Sequence, residues 1–239
     1  KYNRFVRAYL RLAERLATRR SHFLVADSPE IEKYLLGKYT VPVRYIAYGA
    51  EIPATFHLDV LKEWGLVAGR YDLVVARMEP ENNIEMAIRA KLGSGDQIPL
   101  LIFGNDNKYR RKLQKIFAGK DIIRFCDGVY DRTKLDSIRH FSRLYLHGHS
   151  VGGTNPSLLE AMACSCRIVA HDNPFNRYVL SGEAVFYPSV KELTRIFLEY
   201  ENLDFRPMMN DNLDRIRKVY NWERVTALYD KLFSDATGL

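Results

Sequence analysis

The sequence predicts an α/β fold in which a parallel sheet carries helices on both faces. Six short apolar segments are typical of buried strands, at 72–76, 99–103, 122–126, 144–147, 167–170 and 184–187. Amphipathic stretches with helical spacing lie between them, at 84–92, 109–117, 133–141, 156–163 and 175–180. Strands that alternate with helices in this way form parallel sheets through right-handed crossovers.

The stretch 142–172 supports this fold and also indicates a function. It has the pattern of strand, glycine-rich loop, helix and strand, and Gly152 and Gly153 leave the loop free to adopt positive φ. Thr154 or Asn155 is expected to cap the helix, with a proline directly after. Backbone N–H groups without partners and the helix dipole meet at such an N-terminus, which makes it an anion site.

Glu160 lies one turn into the same helix. A carboxylate there is badly placed to meet a phosphate. It can, however, accept hydrogen bonds from the hydroxyls of a sugar that is attached to that phosphate. The loop and Glu160 together therefore predict a nucleotide site. The alternative is a tight turn that packs the helix on the sheet, with Glu160 as a surface carboxylate.

Length and composition describe an ordinary globular chain of 239 residues, 47% of them hydrophobic, enough for one large or two modest domains. No apolar stretch approaches the roughly 20 residues of a membrane helix. The three cysteines indicate reduced thiols and a cytoplasmic location. The chain opens at Lys1 without a methionine or a signal peptide, so we expect a fragment of a longer protein.

Positive charge is concentrated at the start of the chain. Residues 1–20 hold seven lysines and arginines against Glu14 alone, which accounts for six of the net seven positive charges. The rest of the chain is nearly neutral, which argues against a nucleic-acid partner. The same residues form a basic amphipathic helix, interpreted as a solvated face, with contact to the inner face of the membrane as the alternative.

The first 50 residues read as helix, strand, helix and strand, at 2–19, 22–28, 29–36 and 43–47. Four elements cannot close a domain, so 1–50 is predicted to be the tail of one parallel unit. A second domain is predicted over 51–239. Its last part, 191–233, is predicted to be helical and has no strand partner.

Several loops follow the carboxyl ends of the predicted strands, where ligands bind in parallel sheets. Arg77 follows the first strand of the second domain, Gly104 the second and Tyr130 the third, and His149 lies in the glycine-rich loop. An arginine for anions, an aromatic ring and a candidate phosphate loop therefore converge at one edge. This convergence strengthens the prediction of a nucleotide site.

Three segments, 77–83, 125–131 and above all 147–163, resemble the C-terminal half of family-4 glycosyltransferases, in particular the bacterial rhamnosyltransferase-like branch. The resemblance extends over about 20–235. It implies the GT-B architecture, with two Rossmann-like domains that face each other across a cleft. Residues 1–50 would then be the end of the acceptor-side domain with the interdomain crossing, and 51–239 the nucleotide-sugar donor domain.

The resemblance also implies roles for single residues. Glu160 matches the second glutamate of the family's Glu-x7-Glu motif, which holds the ribose hydroxyls. Arg77 matches the arginine that meets the donor diphosphate. Gly153, Thr154 and Asn155 match the loop whose backbone N–H groups hold the phosphate and the sugar.

Further matches are Tyr130, beside the nucleobase, and Gly104, the glycine after the second strand. His149 is a candidate contact to the donor sugar or phosphate. Two residues depart from the family pattern. Gly152 stands where the first glutamate of the motif is expected, and Asn82 stands where most members have a lysine beside the diphosphate.

The activity implied is metal-independent, retaining transfer of a sugar, with rhamnose from dTDP-rhamnose as the best guess. The acceptor would be a saccharide or lipid-linked saccharide in the synthesis of bacterial surface polysaccharide. No cofactor or metal is expected, the catalytic residues stay unassigned, and the fragment alone is expected to be inactive. The alternatives are a sugar-nucleotide epimerase, a metal-dependent hydrolase that uses His147 and His149, and a non-catalytic nucleotide-sugar-binding module.

Overall fold

The computed structural model describes residues 3–180 and 184–238. The strands are β1 (Leu24–Ala26), β2 (Val43–Tyr45), β3 (Asp72–Val75), β4 (Leu100–Phe103), β5 (Ile123–Cys126), β6 (Leu144–His147), β7 (Ile168–His171) and β8 (Val185–Tyr187). The helices are α1 (Arg4–Arg20), α2 (Pro29–Leu36), α3 (Ile84–Gly93), α4 (Lys108–Ile116), α5 (Arg132–His140), α6 (Pro156–Ala163), α7 (Pro174–Leu180), α8 (Val190–Leu198), α9 (Arg206–Lys218) and α10 (Trp222–Thr237).

The elements form two compact units, one that extends to Tyr48 and resumes at Trp222, and one from Gly49 to Asn221. In the first unit, β1 and β2 pair in parallel and α10 packs beside them. The predicted second domain extended to residue 239, whereas the second unit of the structure ends at Asn221. Apolar side chains of α10, Val225 and Leu232, are buried with Ile46, so α10 belongs to the first unit.

The basic helix α1 is attached to its unit through Glu14, whose carboxylate accepts hydrogen bonds from Lys38 Nζ at 2.7 Å and Tyr39 Oη at 2.6 Å. Most of its apolar side chains are exposed, including Phe5 at 77%. Residue 2 of the predicted helix lies outside the described residues. No helix in the described part of the chain is both long and apolar enough to cross a membrane.

The second unit contains the predicted six-stranded parallel sheet, in the order β5-β4-β3-β6-β7-β8 and flanked by helices. The central strands are buried on both faces and therefore nearly continuously apolar, as Leu73, Ile102 and Leu146 illustrate. The chain runs outward from β3 to β5 in one direction and from β6 to β8 in the other. The loops that follow β3 and β6 diverge at this switch point, which opens a crevice at the carboxyl edge of the sheet.

The opposite, amino edge of the sheet contains a buried ion cluster that the sequence analysis missed. Lys91 Nζ lies 2.7 Å from a carboxylate oxygen of both Asp72 and Asp96, and Arg143 Nε lies 2.7 Å from Asp72 Oδ1. The side chains of Lys91 and Asp72 are fully buried. Two cations and two carboxylates balance, which is the condition under which buried charges are tolerated.

Candidate functional site

A cavity of about 660 Å³ lies at the carboxyl edge of the sheet, at the switch point between β3 and β6. It is lined by the loops that follow β3, β4 and β5 and by the start of α6. Six of the predicted site residues line it: Arg77, Gly104, Tyr130, His149, Asn155 and Glu160. Asn82, Gly153 and Thr154 do not.

Gly104 allows the loops after β3 and β4 to approach each other. A Cβ atom on Gly104 would stand 2.4 Å from the Ala76 carbonyl oxygen and 2.9 Å from Met78 Cε, so a larger residue does not fit. Asn107 Nδ2 adds a hydrogen bond of 2.6 Å to the Met78 carbonyl oxygen. The glycine therefore has a packing role beside Arg77.

Arg110, which the sequence analysis missed, ties the ends of β4 and β5 together. Its Nη1 donates to the Gly104 carbonyl oxygen at 2.9 Å and to Asp127 Oδ1 at 2.7 Å. Its side chain is mostly buried while Asp127 is exposed. Because Arg110 bonds to acceptors that follow both β4 and β5, it holds this part of the cavity wall in place.

Arg77 presents a cation to the cavity. Its residue is exposed, and its guanidinium forms no ion pair with a carboxylate of the described residues. Its backbone is held by Asn82, whose Nδ2 donates to the Arg77 carbonyl oxygen at 2.7 Å. Asn82 is only 7% exposed and lies outside the cavity lining, so in this structure it supports the Arg77 loop from behind, and its predicted contact with the donor stays a prediction.

The start of α6 also faces the cavity. Asn155, one of the two expected caps, is the N-cap, and its Oδ1 accepts a hydrogen bond from Ser157 N at 3.0 Å. Gly152 adopts a positive φ of 122°, whereas Gly153 is not among the positive-φ glycines. Thr154 is buried, at 2% exposure. The start of α6 thus lines the same cavity as Arg77, so the positive end of the helix dipole lies at this wall.

His149 lines the cavity as a neutral ring. It stacks on His147 with ring centroids 4.4 Å apart, and its Nδ1 has no hydrogen-bond partner in the described residues. Burial and the nearby charge of Arg77 lower the pKa of His149 to about 4. Burial, with His149 and His171 nearby, lowers the pKa of His147 well below its ordinary value. Both rings are therefore uncharged at neutral pH.

The backbone of His149 is fixed by two asparagines from the start of α7. Asn173 Nδ2 and Asn176 Nδ2 donate to the His149 carbonyl oxygen at 2.9 and 3.0 Å. The sequence analysis did not identify these two asparagines, because they are 24 and 27 residues from His149 and no short motif links them to it. In the described parts of the chain, no three histidines, cysteines or acidic residues form a group that could hold a metal ion.

Glu160 points into the cavity from the second turn of α6. Its Oε2 accepts a hydrogen bond from Arg139 Nη2, and Arg139 Nη1 donates to Asp136 Oδ1 at 3.0 Å. The Arg139 side chain is 2% exposed, and that of Glu160 is 37% exposed. Arg139 was missed. Its spacing from Asp136 is an ordinary helical pair, and nothing in the sequence connects it to Glu160.

Tyr130 lies at the rim, where 84% of it is exposed. Its Oη lies 2.8 Å from Asn105 Nδ2. Gly128, two residues before Tyr130, packs against the Asn105 side chain. A Cβ atom on Gly128 would stand 2.5 Å from Asn105 Oδ1. The ring is thus held at the mouth of the cavity, and its predicted contact with a nucleobase stays a prediction.

The fold is that of Rossmann-like domains of GT-B glycosyltransferases of known structure. Sucrose-phosphate synthase from Thermosynechococcus elongatus superposes with a TM-score of 0.80 at 16% identity, over 95% of this chain and 61% of that protein. Anabaena Alr3699/HepE in complex with UDP and glucose gives 0.79 at 16% identity, over 96% and 67%. A glycosyltransferase from Rickettsia africae gives 0.75 at 11%, over 88% and 62%. The chain thus spans about two thirds or less of these proteins.

The sequence has no significant match among curated proteins. Residues 1–51 match a domain of unknown function, DUF1972. Residues 69–203, more than half of the chain, match the family described as glycosyl transferases group 1. Together with the six-stranded sheet and its carboxyl-edge cavity, this match shows that the chain belongs to the group 1 glycosyl transferases.

Proposed function

We propose that the carboxyl-edge cavity binds a nucleotide-diphosphate sugar, which the complete protein transfers to a saccharide or lipid-linked saccharide. The observation that carries the proposal is the convergence of Arg77, the N-terminus of α6 and Glu160 on one cavity. A cation and the positive end of the helix dipole favour a diphosphate. A carboxylate close by favours the hydroxyls of the attached pentose. The volume of about 660 Å³ is in the range of small-molecule sites.

In this arrangement the diphosphate lies between the Arg77 guanidinium and the start of α6, with the pentose at Glu160 and the base toward Tyr130. Transfer breaks the bond between the sugar and the diphosphate, and negative charge grows on the leaving group. Arg77 and the helix N-terminus stabilise that charge. The neutral ring of His149 supplies a hydrogen bond from the same wall.

The finer features of this proposal come from the resemblance to family 4. They are retention of the anomeric configuration, independence from metal ions, rhamnose on a dTDP carrier as the donor, and a cytoplasmic role in surface polysaccharide synthesis. The complex of Anabaena Alr3699/HepE with UDP-glucose supports the broader class, a nucleotide-diphosphate sugar.

Calorimetric titration with UDP, dTDP and GDP, each with and without EDTA, tests the proposal. We expect one of these nucleotides to bind in the presence of EDTA. Arg77→Ala and Glu160→Gln should each weaken binding about tenfold or more, because each removes a charge-assisted hydrogen bond. Arg206→Ala is the matched control, since Arg206 is exposed and paired with Asp204. Absence of binding, or unchanged affinity in both variants, would refute the site, and loss of binding in EDTA would refute metal independence.

A non-catalytic nucleotide-sugar-binding module is the second candidate. It is favoured by the replacement of the family lysine by Asn82, which is buried behind Arg77. The cavity lining then contains two arginines, and Arg139 is already engaged by Asp136 and Glu160. Slow release of free sugar from a bound donor would indicate catalytic competence. Tight donor binding without any release would favour the module.

A further inference from the structure

The segment 108–124 contains a second concentration of positive charge. It holds seven lysines and arginines against Asp121 alone, a net charge of plus six. The acidic residues that balance this charge in the total lie elsewhere in the chain. The positive charge is therefore concentrated on α4 and on the turn and strand that follow it.

Four of the charged side chains share one face of α4, at a spacing of three or four residues that places them side by side on a helix. They are Lys108, Arg111, Lys112 and Lys115. Together with Ile116 they line a shallow hollow of about 410 Å³, and all five residues are exposed. These five residues form the basic face of α4. The opposite side of the helix packs inward, since Leu113 is fully buried.

Little negative charge compensates the basic face. Arg111 Nε lies 3.2 Å from Asp106 Oδ2, and both of these side chains are exposed. The three lysines of the face form no ion pair with a carboxylate of the described residues. Like charges at this spacing destabilise a helix. An anion that fills the hollow relieves their repulsion, so the arrangement favours an anionic partner.

The apolar member of the basic face favours a lipid surface over a nucleic acid. Ile116 is 46% exposed at the hollow, and an apolar side chain among cations gains from contact with a bilayer interface. Single-stranded nucleic acids bind by stacking on exposed aromatic rings. The neighbouring ring of Phe117 is only half-exposed and is covered by Arg89, whose guanidinium lies 5.5 Å from the ring centroid.

We infer that the basic face of α4 binds the surface of an anionic lipid bilayer. The lysines and Arg111 meet the lipid phosphates, and Ile116 enters the headgroup region. The negative potential of such a surface attracts clustered lysines and arginines, each of which adds about fivefold to the affinity. The inference does not rest on the proposed function, because none of the five residues lines the carboxyl-edge cavity.

Cosedimentation with lipid vesicles tests the inference. We expect the chain to bind vesicles of equal parts phosphatidylglycerol and phosphatidylcholine, more weakly as salt is added, and to ignore vesicles of phosphatidylcholine alone. The combined variant Lys108→Gln, Lys112→Gln and Lys115→Gln should bind the mixed vesicles at least about tenfold more weakly. Absence of binding by the native chain overturns the inference.

A matched variant controls for net charge. Lys62→Gln, Lys191→Gln and Lys231→Gln together remove the same charge from three exposed positions outside the basic face. We expect this variant to lose less than about threefold in affinity, because its charges are not clustered. The arginines of α1 are unchanged in both variants. If the α4 variant binds the mixed vesicles as tightly as the control does, another part of the chain holds the membrane and the inference is wrong.

Ile116→Ser tests the contact with lipid. We expect it to weaken vesicle binding about threefold or more, since apolar area no longer leaves water, and to leave the affinity for duplex RNA unchanged because no charge is lost. Unchanged vesicle binding in this variant overturns the lipid contact. If the triple α4 variant loses affinity for duplex RNA but not for vesicles, the partner is a nucleic acid and the inference fails.

Two further measurements keep these outcomes distinct from the proposed function. Thermal melting of each variant reports whether it is folded, and the substituted side chains are all exposed. Calorimetry with UDP should give the native affinity in the α4 variant, because the basic face lies outside the cavity lining. Vesicle binding by a chain that binds no nucleotide would refute the proposed function and leave the membrane surface standing.

Discussion

Gly148 lies directly against Asn82. A Cβ atom on Gly148 would stand 2.2 Å from the Asn82 carbonyl oxygen, well inside any normal contact. Next to this contact, Asn83 Nδ2 donates to the Gly148 carbonyl oxygen at 2.8 Å, and Ser150 donates through its backbone N–H and its Oγ to the Glu81 carbonyl oxygen. The loop after β3 and the loop after β6 are therefore joined across the switch point of the sheet.

Replacing Gly148 with alanine should separate these two loops. We expect the free energy of unfolding to fall by about 1–3 kcal/mol, as in other overpacked sites, and UDP affinity to fall about tenfold because Arg77 and His149 move apart. Urea denaturation and calorimetry measure the two effects. Gly93→Ala is the control, because a Cβ there lies an ordinary 3.6 Å from Thr194 Oγ1. Equal stability of both variants would contradict this prediction.

Asn82→Asp tests the support behind Arg77. The substitution replaces the N–H group that faces the Arg77 carbonyl oxygen with an acceptor, in a residue that is 7% exposed. We expect a loss of about 1–3 kcal/mol in stability and weaker nucleotide binding, because two acceptors then face each other. Asn210→Asp, an exposed position with the same change in charge, is the control for denaturation and titration. Similar behaviour of the two variants would show that the Asn82 amide does not support the loop.

The buried ion cluster should matter for stability but not for binding. Asp72→Asn leaves Lys91 and Arg143 with Asp96 as their remaining carboxylate partner in the cluster. We expect the free energy of unfolding to fall by about 3–5 kcal/mol, because a charge remains buried without compensation. The exposed pair of Asp204 and Arg206 offers the control, Asp204→Asn, which should change the free energy of unfolding far less than Asp72→Asn, because water screens the pair. If Asp72→Asn lowers the free energy of unfolding only slightly, the ion cluster is hydrated and the prediction is wrong.

His149 should make stability depend on pH. Its pKa falls from 6.5 to about 4 in the folded chain, so between these values the unfolded state binds a proton that the folded state does not. This difference in proton binding adds about 3 kcal/mol to the free energy of unfolding at pH 7, relative to a pH at which both states are protonated. The contribution is complete above pH 6.5 and is lost as the pH falls toward 4.

Denaturation at pH 7.5, 6 and 5 compares the native chain with His149→Gln. The variant should show a shallower decline in the free energy of unfolding as the pH falls, because the ring that resists protonation is gone. His57→Gln, at an exposed position, should retain the native slope. Parallel declines in His149→Gln and the native chain would mean that His149 is solvated in the folded state.

Much of the fold was predictable because it depends on local patterns. Short apolar segments that alternate with amphipathic stretches predicted all six strands of the sheet, and their parallel pairing is confirmed. Parallel pairing brings all the carboxyl ends to one edge, so Arg77, Gly104 and Tyr130 were expected together from their positions alone. They line one cavity. Their part in binding stays a prediction.

Other features depend on contacts between distant segments. Arg139 and Glu160 are 21 residues apart, and only the packing of α5 beside α6 brings the guanidinium to the carboxylate. Asn82 stands where the family pattern has a lysine, and only the fold shows that the turn that contains it buries the amide against the Arg77 carbonyl oxygen. The place of α10 with the first unit follows from the burial of Val225 and Leu232, which a helical pattern cannot assign to a partner.

From residue order and periodicity alone came the alternation of strands and helices, the edge at which a ligand would bind, and the glycine-rich turn before α6. These features follow from the chain's local preferences and from the geometry common to all parallel sheets. Which side chains hold Glu160, support Arg77 and keep His149 neutral depended on burial between segments far apart in the chain. Burial and charge compensation exist only once those segments are packed, so no pattern of neighbouring residues could reveal them.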